Sequence, residues 1–161
     1  MKKITAFALG IVAIGLEASA QQIPDLKLAD LKGTVINTSS FNTKGSKLTL
    51  LAFWATWCIP CINELSTVND NLSDWQKKYQ FDFFAVSEDD SRTINRVKPL
   101  VDGKNWDFTV LLDNNQELKR QLNLMNVPYT LIIKEGKIIY RHSGFVLGDE
   151  DALLKVIKDN Q

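Results

Sequence analysis

The sequence predicts a three-layer α/β/α sandwich with a mixed central sheet, an N-terminal hairpin and a helical insertion. Two observations indicate this fold class. First, a nearly continuous apolar run, Leu48–Trp54, precedes an amphipathic pattern starting near Cys58 and a second apolar run, Phe81–Ser87. This order is that of a βαβ unit with parallel strands and a right-handed crossover. Second, a Glu135-Gly136 turn joins two strands near the C-terminus, which makes that pair antiparallel and the sheet mixed.

Composition places the chain among ordinary globular proteins. The 161 residues include 19 Lys+Arg and 19 Asp+Glu, and they are 45% hydrophobic and 24% charged. This length corresponds to one domain that buries enough surface to fold without metals or staples. A net charge of zero provides no electrostatic basis for nucleic-acid binding, so we expect no nucleic-acid partner.

The first 20 residues have the pattern of a secretory signal peptide. Lys2 and Lys3 precede the apolar run Ile4–Leu16, and Ala18-Ser19-Ala20 matches a cleavage site. The run is shorter than the about 17 residues needed to span a bilayer, which disfavours an uncleaved anchor. We therefore expect residues 1–20 to be a signal peptide and residues 21–161 the folded domain. The protein is then exported and periplasmic, or extracytoplasmic if the signal is retained as an anchor.

The remaining elements follow from local patterns along the chain. Near the N-terminus, Leu26–Leu31 and Val35-Ile36 flank a turn at Gly33 and predict the hairpin. After Cys58, apolar residues recur at steps of three and four up to Tyr79, which predicts an amphipathic helix of about five turns. The later elements are a strand at Phe108–Leu112, a short helix at Gln116–Leu122, strands at Tyr129–Lys134 and Lys137–His142, and a terminal helix around Leu153–Ile157.

An acidic run, Glu88-Asp89-Asp90, follows the second buried strand. It precedes a predicted helix through Ile94, Val97 and Val101 that closes at Asp102-Gly103. We interpret the run as the N-terminal cap of this helix, because carboxylates favour the positive end of a helix dipole. Metal binding is the alternative interpretation.

Cys58-Ile59-Pro60-Cys61 lies where the first buried strand ends and its helix begins. These are the only two cysteines and His142 is the only histidine, so a four-cysteine zinc site is excluded and a mixed site lacks a ligand. Free backbone N–H groups at a helix N-terminus stabilise an anion, so we expect the pKa of Cys58 to fall below about 8.5. Cys61, three residues later, can close a disulfide with Cys58, and Pro60 is tolerated in a first helical turn.

The spacing alone leaves three interpretations open: a redox dithiol, an inert structural disulfide and a weak metal site. A structural staple is disfavoured because such a short loop removes little chain entropy from the unfolded state. In an exported protein a close cysteine pair is oxidised unless a partner reduces it. We therefore expect a redox-active Cys58–Cys61 pair.

The segment Phe53–Cys61 (FWATWCIPC) resembles the active-site segment of the thioredoxin superfamily. Together with the signal peptide, the hairpin, an insertion at Asp90–Asp107 and Glu64, it is similar to the TlpA/ResA-like extracytoplasmic thiol-disulfide oxidoreductases. The resemblance covers nearly all of residues 21–161 and implies a thioredoxin-like fold. It also implies that Val127-Pro128-Tyr129-Thr130 is the family's proline loop, with a cis Pro128 against the cysteine pair.

The chain departs from cytoplasmic thioredoxins at Ala52, where those proteins carry a buried aspartate. The resemblance to the ResA-like branch implies that Glu64 replaces it. Helical i, i+3 spacing places Glu64 on the same side as Cys61, where a carboxylate can accept the proton of the resolving thiol. A solvated glutamate on the helix surface is the alternative.

Ile59 stands where relatives carry glycine or glutamate, and it adds an apolar side chain near the sulfurs. Neither Ile59 nor Pro60 is cationic, which favours a reductant or weak oxidant over a strong oxidant. We expect Trp54 in the core, Trp57 at the rim of the site, and His142 at a surface or sheet edge. The predicted catalytic residues are Cys58, Cys61 and Glu64, and the predicted substrate-binding residues are Trp57, Ile59, Pro60, Val127 and Pro128; no metal or cofactor is expected.

The expected function is reduction or exchange of disulfides in exported proteins. By family resemblance, the electron donor is a membrane thiol carrier of the DsbD/CcdA kind, and apocytochrome c is a candidate substrate in cytochrome c maturation. Membrane contact is then expected only through that partner. The alternatives are an oxidant that inserts disulfides, a copper metallochaperone that uses the reduced pair, and a peroxidase.

Overall fold

A computed structural model describes residues 21–42, 44–45 and 47–161. The predicted signal peptide, residues 1–20, lies outside these described residues. In the described ranges, none of the helices combines the length and apolar character that a membrane span requires.

The elements follow the predicted order closely, and the hairpin, the βαβ unit and the C-terminal strand pair are confirmed. The strands are β1 (Lys27–Asp30), β2 (Val35–Asn37), β3 (Leu48–Trp54), β4 (Phe81–Ser87), β5 (Thr109–Leu112), β6 (Tyr129–Lys134) and β7 (Lys137–Ser143). The α-helices are α1 (Ile59–Lys78), α2 (Val97–Gly103), α3 (Glu117–Gln121) and α4 (Asp149–Asp159), with 3-10 turns at Thr38–Asn42 and Ile94–Arg96.

The strands form one mixed sheet in the order β2-β1-β5-β4-β3-β6-β7. β3 pairs in parallel with β4 and antiparallel with β6. All seven residues of β3 are buried. A strand enclosed between neighbours and covered on both faces needs apolar side chains in both directions, which is why its sequence is nearly continuous in apolar residues.

Alternate residues of β3 enter two separate cores. Leu50, Ala52 and Trp54 belong to a cluster with residues of α1, α2 and α4. Leu51 and Phe53 belong to a second cluster with residues of α3 and the first 3-10 turn. Successive side chains of a strand point to opposite faces, so this division confirms the three predicted layers.

Trp54 ends β3 directly before the cysteine motif and has no exposed surface. Its ring meets Trp106 edge to face, with centroids 5.3 Å apart. Trp106 follows α2, so the insertion packs against the end of the strand that leads into the motif. The predicted core position of Trp54 is confirmed.

The acidic run after β4 does not cap the following helix, so that prediction was wrong. The first turn of α2 contains no acidic residue, and Thr93, the N-cap residue of the 3-10 turn before it, makes no side-chain cap hydrogen bond. Glu88 and Asp89 are instead buried. Glu88 pairs with Lys119 at 2.7 Å, and Asp89 bonds to residues near the cysteine motif. Thr56 donates to Asp89 and Lys119 to Glu88. Both donors are distant in sequence, so the local pattern does not reveal them.

Candidate active site

The cysteine motif forms the N-terminus of α1. Cys58 is the N-cap residue, and its Sγ accepts a hydrogen bond from the backbone N–H of Cys61 at 3.3 Å. Cys58 and Cys61 form a disulfide with their Cα atoms 5.3 Å apart. Pro60 lies in the first turn, where its missing N–H interrupts no helical bond. A sulfur in the capping position receives the same backbone donor that would stabilise a thiolate there.

The two sulfurs differ in access. Cys61 is fully buried, whereas Cys58 keeps 6% of its surface exposed. On either side of Cys58, Trp57 is 58% exposed and Ile59 is 66% exposed. The structure thus places two apolar side chains at the rim beside the accessible cysteine. Their contact with a substrate, and that of exposed Pro60, stays a prediction.

The proline loop begins directly before β6. The Val127–Pro128 peptide bond is cis, and Pro128 is buried. Val127 packs against the core cluster that contains both cysteines. The cis bond agrees with the family resemblance, while the placement of Pro128 against the cysteine pair stays a prediction. β6 carries the loop into the sheet beside β3.

Glu64 lies one helical turn after Cys61 and is only 7% exposed, so the surface alternative is wrong. The hydroxyl of Thr130 donates to its Oε1 at 2.7 Å. Its Oε2 is buried and has no hydrogen-bond partner in the part of the chain that the structure describes. Thr130 pairs with Ala52 across β3 and β6. The helix therefore supplies a carboxylate above the strand position that carries only alanine.

Burial raises the pKa of Glu64 to about 7, and the hydrogen bond from Thr130 opposes this rise only in part. A carboxyl with this pKa exchanges protons readily at neutral pH. Glu64 is thus suited to accept a proton when a neighbouring thiol becomes a thiolate.

Sequence reasoning missed Asp89, which supports the motif from the end of β4. Its Oδ2 accepts hydrogen bonds from the backbone N–H of Thr56 and the hydroxyl of Ser87, both at 2.9 Å. Its Oδ1 accepts from the hydroxyl of Thr56 at 2.6 Å. Asp89 is fully buried and lies 33 residues from Thr56 in sequence. It fixes the turn between β3 and the first cysteine.

We expect Asp89→Ala to destabilise the protein by about 3 kcal/mol and to slow attack by Cys58. The substitution leaves the Thr56 and Ser87 donors unpaired in a buried site, and each unpaired group costs about 1–3 kcal/mol. Urea unfolding and the rate of disulfide exchange measure the two effects. Asp90→Ala is the matched control, since the adjacent Asp90 pairs with the exposed Arg92 and should change stability by no more than about 0.5 kcal/mol. Equal effects of the two substitutions would contradict the role of Asp89.

Comparison with known proteins agrees with this geometry. Residues 19–142 match the AhpC/TSA family. The chain is 29% identical over 125 residues to the thiol-disulfide oxidoreductase ResA of Bacillus thuringiensis subsp. konkukian, which covers 77% of this chain and 69% of that protein. It is 30% identical over 129 residues to the thioredoxin-like protein YneN of Bacillus subtilis, covering 78% and 71%.

A solved structure gives the same result for the fold. The solution structure of an uncharacterised thioredoxin-like protein from Porphyromonas gingivalis superposes with a TM-score of 0.72 at 35% identity, covering 85% of this chain and 90% of that one. With its cysteine pair at the N-terminus of α1 and a cis proline before β6, this chain belongs to the AhpC/TSA family and is a thioredoxin-like thiol-disulfide oxidoreductase.

Proposed function

We propose that the protein is an extracytoplasmic reductase of disulfides in exported proteins. The Cys58 thiolate attacks a substrate disulfide, forms a mixed disulfide and expels one substrate thiolate. Cys61 transfers its proton to Glu64, and the resulting thiolate attacks the Cys58 sulfur. The second substrate thiolate leaves, and two electrons have passed from the dithiol to the substrate.

The observation that carries the reductive direction is the modest stabilisation available to a Cys58 thiolate. In the described part of the chain, the Sγ of Cys58 accepts a hydrogen bond from the backbone N–H of Cys61. Ile59 and Pro60 between the cysteines carry no charge. In a strong oxidant the thiolate is strongly stabilised. Because the thiolate belongs to the reduced protein, its stabilisation favours the reduced form and raises the reduction potential. The weaker stabilisation here favours a dithiol that donates electrons.

The same proposal includes location and partners. The signal pattern at residues 1–20 supports export, where a dithiol needs a dedicated reductant to stay reduced. We propose a membrane thiol carrier of the DsbD/CcdA kind as that donor. Apocytochrome c before haem attachment is the candidate substrate. Exposed Trp57 and Ile59 provide apolar contacts, while backbone groups beside Pro128 hold the substrate in extended form.

The reduction potential tests the proposal. The mature protein is equilibrated in glutathione or dithiothreitol buffers, and its thiols are counted by mass-shifting alkylation. We expect a potential near or below about −230 mV, whereas one near about −120 mV would indicate an oxidant and overturn the proposal. Pro60→Lys places a cation beside the cysteine pair and should raise the potential by about 30 mV for each ~1.4 kcal/mol of thiolate stabilisation. Pro60→Gln is the uncharged control, and an equal rise in both variants would contradict the electrostatic explanation.

A further inference from the structure

A small cavity adjoins Glu64 on the side of β7 and α4. Most of its surface is apolar, and its lining includes the polar residues Glu64, Thr67, Thr130, Tyr140, His142, Asp149 and Glu150. Its volume is about 20 Å³, enough for one water molecule. Glu64, whose buried Oε2 has no hydrogen-bond partner in the described part of the chain, offers such a water a polar partner. Glu64 therefore borders a space of the size of one water molecule, and it lies one helical turn after Cys61.

The sheet register places His142 on the same side as Glu64. Thr130 pairs with Ala52 on one side and with His142 on the other. Residues opposite each other in an antiparallel pair have Cβ atoms about 4.5–5.5 Å apart and share a face. Thr130 also donates to Glu64, so the buried carboxylate and His142 are both neighbours of Thr130 and line the same cavity. His142 lies on the edge strand as predicted, but its ring is half buried.

Asp149 holds the imidazole from the start of α4. Its Oδ2 lies 3.1 Å from Nε2 of His142 and accepts a hydrogen bond from the backbone N–H of Val146 at 2.8 Å. These two contacts lower the pKa of Asp149, the bond from Val146 having the larger effect, so the carboxylate stays ionised. In the neutral tautomer that donates from Nε2 to this carboxylate, Nδ1 keeps a free lone pair. The side chains of His142 and Asp149 remain 35% and 28% exposed, so the pair reaches solvent.

We propose that His142, oriented by Asp149, carries protons between buried Glu64 and solvent through water in this cavity. The inference rests on the proposed role of Glu64 as acceptor of the Cys61 proton. The proton passes from the Glu64 carboxyl to the cavity water and from that water to Nδ1 of His142. The imidazolium then releases a proton to bulk water, and no group changes its redox state. In this route His142 acts on the thiols only through Glu64, and Asp149 positions its ring.

Two other titratable groups lie beside the imidazole or line the cavity. Tyr140 stacks on it with centroids 6.3 Å apart, and burial raises the pKa of this phenol, so it stays neutral in the working range. Glu150 lines the cavity, and its carboxylate accepts a hydrogen bond from the backbone of Gly148 at 2.9 Å. Tyr140→Phe and Glu150→Gln keep these shapes and serve as controls.

Reaction of the reduced mature protein with dithiobis-nitrobenzoate separates the two chemical steps. The first nitrothiobenzoate is released when Cys58 attacks the probe, and the second when Cys61 resolves the mixed disulfide. At pH 7 we expect His142→Gln to slow the second release about tenfold and to leave the first unchanged. This loss is smaller than the 10²–10⁴-fold rate contribution that is typical of general acid–base catalysis. Imidazole in the buffer should restore the second release in His142→Ala. Both control variants should match the wild type.

A double-mutant cycle separates this inference from the role of Glu64. If the proton follows one route, His142→Gln adds no further loss to Glu64→Gln. A slow Glu64→Gln beside a wild-type His142→Gln overturns the relay and leaves Glu64 as the acceptor. A wild-type rate in Glu64→Gln would show that Glu64 does not accept the Cys61 proton, and it would overturn the relay as well. The proposed direction of electron flow would still be tested separately by the reduction potential. Equal slowing of both releases in His142→Gln, without rescue by imidazole, indicates a structural role and also overturns the relay.

Discussion

Replacing Cys61 by serine is expected to convert the protein into a trap that holds its substrate on Cys58. The exposed fraction of Cys58 leaves it able to attack a disulfide, whereas the fully buried Cys61 acts only after the mixed disulfide has formed nearby. Without the resolving thiol the intermediate has no internal route to release. Incubation with an insulin-type disulfide protein should give a one-to-one adduct on a non-reducing gel, which dithiothreitol removes.

Cys58→Ser is the matched control for the trap. It should form no adduct and should lose disulfide exchange altogether, because a serine hydroxyl at this position is not a thiolate nucleophile. Both variants lack the Cys58–Cys61 disulfide, so the loss of that bond affects them equally. If Cys58→Ser formed the adduct and Cys61→Ser did not, the attacking and resolving roles would be reversed.

The stability of the oxidised protein should contain a term that falls as the pH rises, and Glu64 should be its source. The pKa of Glu64 is raised from 4.5 to about 7 in the folded protein. Between these values the folded state binds more protons than the unfolded state, so the free energy of unfolding decreases with increasing pH. The favourable contribution is complete below about pH 4.5 and is lost as the pH passes through 7. A shift of this size corresponds to about 3 kcal/mol.

Urea unfolding of the oxidised wild type and of Glu64→Gln at pH 5 and pH 8 measures this term. Glutamine can accept the hydrogen bond from Thr130 but does not ionise, so the variant should be more stable than the wild type at pH 8 by about 3 kcal/mol. Asp90 and Asp159 have lowered pKa values from ion pairing and act in the opposite direction, but they are common to both proteins. The same pH dependence in both proteins would show that Glu64 is not the group responsible.

Local patterns predicted the elements well because the physical causes of those elements are local. β3 and β4 have the predicted bounds, and α1 follows the spacing of its apolar residues from Ile62 to Trp75, with Tyr79 as its C-cap residue. The cysteine pair was also predictable, since three-residue spacing at a strand–helix junction defines both the helix N-terminus and the reach of Cys61. All these predictions depend on interactions between residues that are close in sequence.

The acidic run Glu88-Asp89-Asp90 is an element whose structure the local pattern did not predict. A carboxylate before a helical pattern suits an N-cap, yet Asp89 turns to Thr56 and Glu88 to Lys119. A buried carboxylate requires donors or a counter-charge wherever the fold provides them. Strand pairing brings those donors to the end of β4, and no spacing within the run indicates them.

The sequence by itself determined the fold class, the order of the elements and the redox pair Cys58–Cys61. These depend on side-chain periodicity and on contacts between residues a few positions apart. The tertiary structure alone decided that Glu64 is buried, that Asp89 supports the motif, and that His142 shares a cavity with the carboxylate. Burial raises the pKa of Glu64, and contacts across β3, β6 and β7 connect this residue to others that are distant in the chain. Such strands become neighbours only when the sheet forms.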